Sequence, residues 1–358
     1  MFVRAHCAVR TVFGGPSRGR RRTTWTLTAG LLVGCTGGLL AFVDESDTGA
    51  SGRGGAVARH SSMPRGVADR LELPWPEEGQ AAIAVEKVGA LGIQGAQAQR
   101  PVPIASLTKV MTAYVILKEH PLKDGDGGPV IKVDERAAAE AHSLSESTAP
   151  VRQGQTLSQR KLLELMLLPS GNNVARLLAR WDSGSQRKFT AKMNAAAARL
   201  GMAHTTYTGA SGFESTTRST AADQLTLARE AMKDPALRAT VALRNTKLPG
   251  HAEPVRNTNK LLERPGVIGL KTGSSTPAGG NLMWAAEIPD GKKHHVVYGV
   301  VLSQRVGTSP AEGNQAALAG SGRLLDALQE RLPAALAANG GSEDGDRHGD
   351  GHKNGGAR

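Results

Sequence analysis

Three short clusters of chemically capable side chains follow one another along the chain: Ser106-Leu-Thr-Lys109, Ser170-Gly-Asn172 and Lys271-Thr272-Gly273. Together they hold what acyl transfer requires: a hydroxyl to attack, amines to move protons and hold an anion, and a strand edge on which a peptide can lie. Ser-x-x-Lys alone carries little information, because Ser158/Lys161 and Ser185/Lys188 fit it as well. Ser-x-Asn and Lys-Thr-Gly each occur once. The clusters begin 64 residues apart (106 to 170) and then 101 apart (170 to 271), which leaves room for a helical subdomain between parts of one sheet.

A serine hydroxyl is unreactive at neutral pH unless a neighbour takes its proton. Positions three apart on a helix share a face, so Lys109 can reach the Ser106 hydroxyl. Pro103 just upstream suits a helix that starts beside Ser106 and brings polarised amides close to it. For Lys109 to serve as a base its pKa must fall by several units; burial lowers it, and a second ammonium at Lys271 lowers it further. Ser158 and Ser185 stand instead at N-cap positions, where a serine already has a structural task.

Ser170 and Asn172 fall on a loop after Pro169. They read either as ordinary turn residues or as a proton relay toward a leaving amine (Ser170) and a holder of a substrate carbonyl and the Lys109 head (Asn172). Lys271-Thr272-Gly273 closes an apolar strand. Gly273, without a side chain, lets a second backbone approach, so an extended peptide can add to that edge while Lys271 and Thr272 hold its terminal carboxylate. The backbone amides of Ser106 and Ser274 are the expected oxyanion donors.

The elements that must position these groups can be read from patterning. Ala81–Val85 and Ala90–Gln94 predict two short strands around a turn at Lys87–Gly89. Helices are expected over Ser106–Leu117, Leu162–Leu168 (capped by Ser158) and about Gln186–Leu200, with Gly201 as its C-terminal residue. Thr220-Ala-Ala-Asp223 is a capping box opening another. Val267–Thr272, Leu282–Ile288 and His295–Leu302 predict an antiparallel meander, and Ala316–Leu336 a closing helix. Strands at both ends with helices between them predict an α+β fold: an antiparallel sheet covered by helices, with an inserted, mostly helical subdomain.

Composition narrows the partners. The net charge is +12, but residues 1–70 hold ten Arg against four Asp/Glu, so much of the excess precedes the expected domain and argues against a nucleic-acid face. Cys7 and Cys35 also precede it, which leaves no internal disulfide and no cysteine nucleophile. The histidines lack metal-ligand spacing. Residues 1–22 are basic, 23–43 carry no charge and are long enough to cross a bilayer, and 44–72 read as a flexible linker. Residues 23–43 fit an uncleaved signal anchor, a lipoprotein signal ending at Cys35, or a cleaved signal. Each exports the downstream chain and leaves it on the outer side of the cytoplasmic membrane, or secreted after cleavage. The domain is expected over 73–338 and a disordered tail over 339–358.

At these residues the chain resembles the D-alanyl-D-alanine carboxypeptidases, the low-molecular-weight penicillin-binding proteins of the serine peptidase type. The resemblance spans roughly residues 80–305 and is carried by Ser106-Leu-Thr-Lys-Val-Met-Thr-Ala-Tyr114, Leu167-Leu-Pro-Ser-Gly-Asn172 and Gly269-Leu-Lys-Thr-Gly273, with further likeness at Met193-Asn194, Leu200-Gly-Met202 and Ser211-Gly-Phe213. It implies a β-lactamase/transpeptidase-like fold and an acyl-enzyme on Ser106. It also implies removal of the terminal D-alanine from peptidoglycan stem peptides and covalent inhibition by β-lactams, with no metal and no cofactor. Asn173 departs from the Asp common after Ser-Gly-Asn and is expected to affect local packing. Two other readings stand beside this one: a β-lactamase of the same superfamily, for which Glu140 or Glu146 is the candidate deacylation base, and a non-catalytic domain that binds β-lactams or peptidoglycan.

Overall fold

The computed structural model describes residues 65–95 and 98–343. Its centre is a five-stranded antiparallel sheet in the order β2-β1-β11-β10-β9: β1 is Gln80–Val85, β2 Gly89–Gln94, β9 Val267–Ser275, β10 Gly279–Asp290 and β11 Lys293–Gln304. Antiparallel pairing of β1 with β11 joins the N-terminal hairpin to the C-terminal meander. Between β2 and β9 the chain leaves the sheet and builds helices α2 (Thr108–Glu119), α3 (Glu135–Glu140), α4 (Gln159–Leu167), α5 (Asn172–Ser183), α6 (Gln186–Arg199), α7 (Ala221–Ala231) and α8 (Pro235–Ala242). Three short antiparallel pairs punctuate that insertion: β3 (Val102–Pro103) with β6 (Arg218–Ser219), β4 (Val130–Lys132) with β5 (Thr156–Ser158), and β7 (Asn245–Thr246) with β8 (Val255–Arg256).

Strand alternation sends neighbouring side chains to opposite faces, so a sheet with both faces covered needs two cores. Ala82 and Ala84 of β1, with Met283, Ala285, Val300 and Leu302, join the core of the helical insertion. Ala81, Ile83 and Val85, with Leu282, Trp284 and Val301, join a smaller core under helices α1 (Arg65–Leu71) and α9 (Pro310–Glu343). The result is the expected α+β architecture, three layers deep.

Local chemistry fixes the helix starts as anticipated. Ser158 accepts a hydrogen bond from the Lys161 amide (3.2 Å), Ser185 from Lys188 (3.3 Å) and Thr220 from Asp223 (3.2 Å). The two decoy serines are therefore helix caps.

Helices at both ends reach past the expected 73–338. Helix α1 occupies the end of the stretch read as linker, because Val67 and Leu71 find a buried seat in the core beneath α9. At the other end α9 passes Pro333 and continues to Glu343, into the stretch read as tail; the alanines at 334, 335, 337 and 338 are strong helix formers and carry it on. Among the described residues no helix is long and apolar enough to cross a membrane. The segments 1–22 and 23–43, residues 44–64 of the linker, Cys35 and residues 344–358 lie outside the described residues.

Candidate active site

Ser106 sits in a single 3₁₀ turn, Ala105–Leu107, that leads directly into α2. Ala105 takes φ +45°, a conformation that disfavours an L side chain and that the surroundings must hold in place. They do so through Gly212: a Cβ there would lie against the Ala105 carbonyl oxygen and 2.5 Å from Thr108 Oγ1, so the 211–213 loop fits only without one. The Thr108 hydroxyl donates back to the Ala105 carbonyl at 2.8 Å. Half-buried Ser106 thus stands at the mouth of a turn braced from both sides.

Lys109 projects from the first turn of α2 into the interior and is fully buried. Its Nζ lies 2.9 Å from Ser106 Oγ and donates to Asn172 Oδ1 at 2.6 Å and to the Ser211 carbonyl at 2.7 Å. The last two partners are acceptors only, so they consume two N–H groups. In the neutral amine the remaining lone pair is then directed at the serine, whose hydroxyl can donate to it. Burial, then the charges of Lys271 and Arg176, hold the Lys109 amine well below the ordinary lysine range, while Glu146 and Glu214 pull the other way. A depressed pKa and a free lone pair are what a general base needs.

Asn172 begins α5. Its backbone amide donates to the Ser147 carbonyl (2.9 Å), and its side-chain Nδ2 donates to Glu146 Oε2 (2.6 Å). One of the two amide protons is thereby used. Glu146 in turn pairs with Arg176 of α5, whose two terminal nitrogens donate to Oε1 at 2.8 Å and to Oε2 at 2.7 Å. Burial works to raise the Glu146 carboxyl, but the hydrogen bonds from Arg176 and Asn172 and the Arg176 charge outweigh it and hold the group below the usual range. Glu140 contributes a weaker contact to Arg176 (3.2 Å). Ser170 takes φ +66°, and its buried Oγ has no hydrogen-bond partner among the described residues.

The third cluster lies on β9, the edge of the sheet beyond which no strand is paired among the described residues. Lys271 and Gly273, two positions apart, share a face. A Cβ on Gly273 would lie 2.9 Å from the backbone nitrogens of both Ser106 and Leu107, so the missing side chain is what lets the strand meet the serine turn. Lys271 is 1% exposed and its Nζ has no partner among the described residues; burial brings its pKa down to about 7. The Thr272 hydroxyl lies 2.7 Å from that of Thr258. Ser274, half-buried, continues the edge opposite Gly280 of β10.

Hydrogen bonds therefore join Ser106, Lys109 and Asn172, close packing adds Gly273, and charge couples Lys271 to Lys109. Three participants were not assigned from sequence, and a fourth, Glu146, was singled out there only as a candidate deacylation base. The Ser211 carbonyl and Thr258 act through positions that no spacing rule reveals, although Ser211-Gly-Phe213 stands out as a segment. Glu146 and Arg176 lie 30 residues apart in the chain and meet only in space. Asn173 packs locally: its side chain accepts from the Ala149 amide at 2.9 Å and donates to the carbonyls of Ala149 (2.9 Å) and Ala137 (3.1 Å).

Comparison with known proteins places the chain in a family. A family profile described as D-alanyl-D-alanine carboxypeptidase matches residues 76–303. The chain is 27% identical over 202 residues to the D-alanyl-D-alanine carboxypeptidase DacF of Bacillus subtilis, covering 55% of this chain but only about half (51%) of that relative's length. Among solved structures, the Streptomyces K15 DD-transpeptidase is 25% identical with a TM-score of 0.58, over 69% of this chain and 95% of that one. Penicillin-binding protein D2 of Listeria monocytogenes, solved in a cefotaxime-bound form, is 26% identical with a TM-score of 0.56, over 69% and 95%. The chain belongs to the D-alanyl-D-alanine carboxypeptidase family.

Proposed function

We propose that the protein is a serine D,D-carboxypeptidase that removes the terminal D-alanine from peptidoglycan stem peptides through an acyl-enzyme on Ser106. The observation that carries this reading is the fully buried Lys109 amine, 2.9 Å from Ser106 Oγ with its other two contacts spent on carbonyl acceptors. Lys109 takes the hydroxyl proton as Oγ attacks the carbonyl carbon of the penultimate D-alanine. The C–O bond forms, and the negative charge moves to an oxygen facing the backbone amides of Ser106 and Ser274. The C–N bond then breaks as the proton passes to the leaving amine of D-alanine, with the unpartnered Ser170 hydroxyl available to relay it. Water, entering by the reverse path, releases the shortened peptide and frees Ser106.

Substrate recognition uses the same edge. A peptide laid along β9 gains main-chain hydrogen bonds, and its C-terminal carboxylate is met by the Lys271 charge and the Thr272 hydroxyl. β-Lactams would acylate Ser106 by the same attack. Support for that step comes from the intact serine–lysine pair and from the cefotaxime-bound relative. A β-lactamase reading requires a carboxylate free to activate water, whereas Glu140 and Glu146 are both engaged by Arg176, and Glu146 is held in its weakly basic, ionised form. We further propose that the chain works outside the cytoplasmic membrane, tethered or exported through residues 23–43; loss of membrane association on their deletion would support this.

Ser106→Ala should abolish labelling by a fluorescent penicillin and release of D-alanine from purified muropeptides, read on a gel and by mass spectrometry. Persistent labelling at another serine would overturn the assignment. Loss of a single alanine from monomers identifies a carboxypeptidase, and splitting of crosslinked dimers an endopeptidase.

A further inference from the structure

The Lys109 amine is held by two acceptors from different parts of the chain, Asn172 on α5 and the Ser211 carbonyl on the loop before β6. One side chain touches what fixes each of them. Arg176 grips both oxygens of Glu146, whose Oε2 takes the Asn172 Nδ2 proton and so turns the opposite end of that amide, Oδ1, toward Lys109. The same guanidinium lies 5.7 Å from the centroid of the Phe213 ring, two residues beyond Ser211 in the loop that packs on Ala105. Phe213 is itself 55% exposed, and its amide donates to the Ser211 hydroxyl at 3.3 Å, which ties the ring that Arg176 meets to the residue whose carbonyl holds Lys109.

We propose that Arg176 and Glu146 are positioning residues that fix both acceptors of Lys109 and so set its orientation and its readiness to take the Ser106 proton. The inference rests on the acyl-transfer reading above. An ordinary surface ion pair would be solvated and weak, but here the side chains of Arg176 and Glu146 are each only 10% exposed. An unheld amide could rotate and offer its N–H₂ end to Lys109, which presents only donors when protonated; Glu146 forbids that orientation by accepting from Nδ2. The charged groups facing Lys109 are Lys271 from β9, Arg176 from α5, Glu146 from the loop after α3 and Glu214 from the loop after Ser211. Arg176 and Glu146 act on its protonation in opposite senses, so their removal has opposite signatures.

The test is the pH dependence of the rate at which a fluorescent penicillin acylates Ser106 in the full chain, for wild type, Glu146→Gln, Arg176→Met and Arg176→Lys. Removing the Glu146 charge should carry the acidic limb to lower pH by roughly one unit, and removing the Arg176 charge should carry it to higher pH by a similar amount. Arg176→Lys keeps the charge but loses the two-pronged grip. Its limb should stay within a few tenths of a unit of wild type while the plateau rate falls on the order of 100-fold, the effect of a misplaced base. Limbs that coincide with wild type in both neutral variants, or that move in the same direction, overturn the inference. If Arg176→Met fails to fold, Glu146→Gln and Arg176→Lys decide it: a shifted limb in the first and a lowered plateau at an unmoved limb in the second. Failure of wild type to label at Ser106 would instead overturn the acyl-transfer reading itself.

Discussion

Lys271 shows how far a single residue can be driven from its comfort. A lysine buried with no partner is costly in its charged form, and its pKa falls to about 7 in the folded state against roughly 10.4 in the unfolded chain. Between those values the unfolded chain binds more protons, so this group's contribution to stability rises with pH from about 7 toward 10 and is most unfavourable below 7. Lys271→Met should therefore raise the unfolding free energy at pH 7 on the order of 3 kcal/mol, with the gain shrinking as pH approaches 10. Urea melts at several pH values measure this, and an equal gain at all pH would refute the cause. The same ionisation bears on the proposed function. Above about pH 7 the unliganded site loses the charge proposed to meet a substrate carboxylate, so KM for a D-alanyl-D-alanine peptide should climb toward tenfold per pH unit. For Lys271→Met KM should be high and flat over the same range.

At the scale of elements, the decisive contact is between edge strand β9 and the serine turn before α2. It exists because Gly273 has no Cβ: an added methyl would meet two backbone nitrogens at 2.9 Å, and backbone cannot swing aside as a side chain can. Gly273→Ala should push strand and turn apart, cutting the acylation rate on the order of 100-fold while costing about 1–3 kcal/mol of stability. Stopped-flow acylation and denaturant unfolding separate the two effects; an unchanged rate would mean that the strand does not set the serine's geometry. Helix caps belong to this scale as well. Asp134 accepts from the Ala137 amide at 2.7 Å and pairs with Arg180 of α5, fastening α3 beside the loop that bears Glu146. Asp134→Ala should cost about 1–2 kcal/mol in thermal melts, as lost caps do.

Across the whole molecule, the two faces of the sheet divide the labour. The helical insertion covers one face and contributes Ser106, Lys109, Ser170 and Asn172; α1 and α9 cover the other and place none of the site residues. A cavity cut in the second layer should therefore weaken the fold without touching the chemistry. Leu328→Ala, at a fully buried position on α9, should cost about 2–5 kcal/mol in urea unfolding and leave acylation per folded molecule within twofold. A large loss of acylation in the folded variant would show that the two layers are coupled.

Much of this was open to reading from residues alone. The period-two strands, the capping serines and threonine, and the three clusters obey local rules that depend on neighbours a few positions away. The end strands, helices α2, α4, α6 and α7 and the candidate groups were legible for that reason; α3, α5 and α8 were not, and Asn172, expected on a loop, opens α5. Long-range meetings were not: Arg176 with Glu146, Thr258 with Thr272, the Ser211 carbonyl with Lys109, and α1 beneath α9 each join segments that share no spacing rule. Sequence by itself determined which groups can attack, accept a proton or hold an anion, because that chemistry resides in the side chains. Tertiary structure alone decided which of those groups face one another and how deeply water is excluded; burial, joined at Lys109 by neighbouring charge, lowers the pKa of two ordinary lysines and suits them to the proposed roles of base and anion holder.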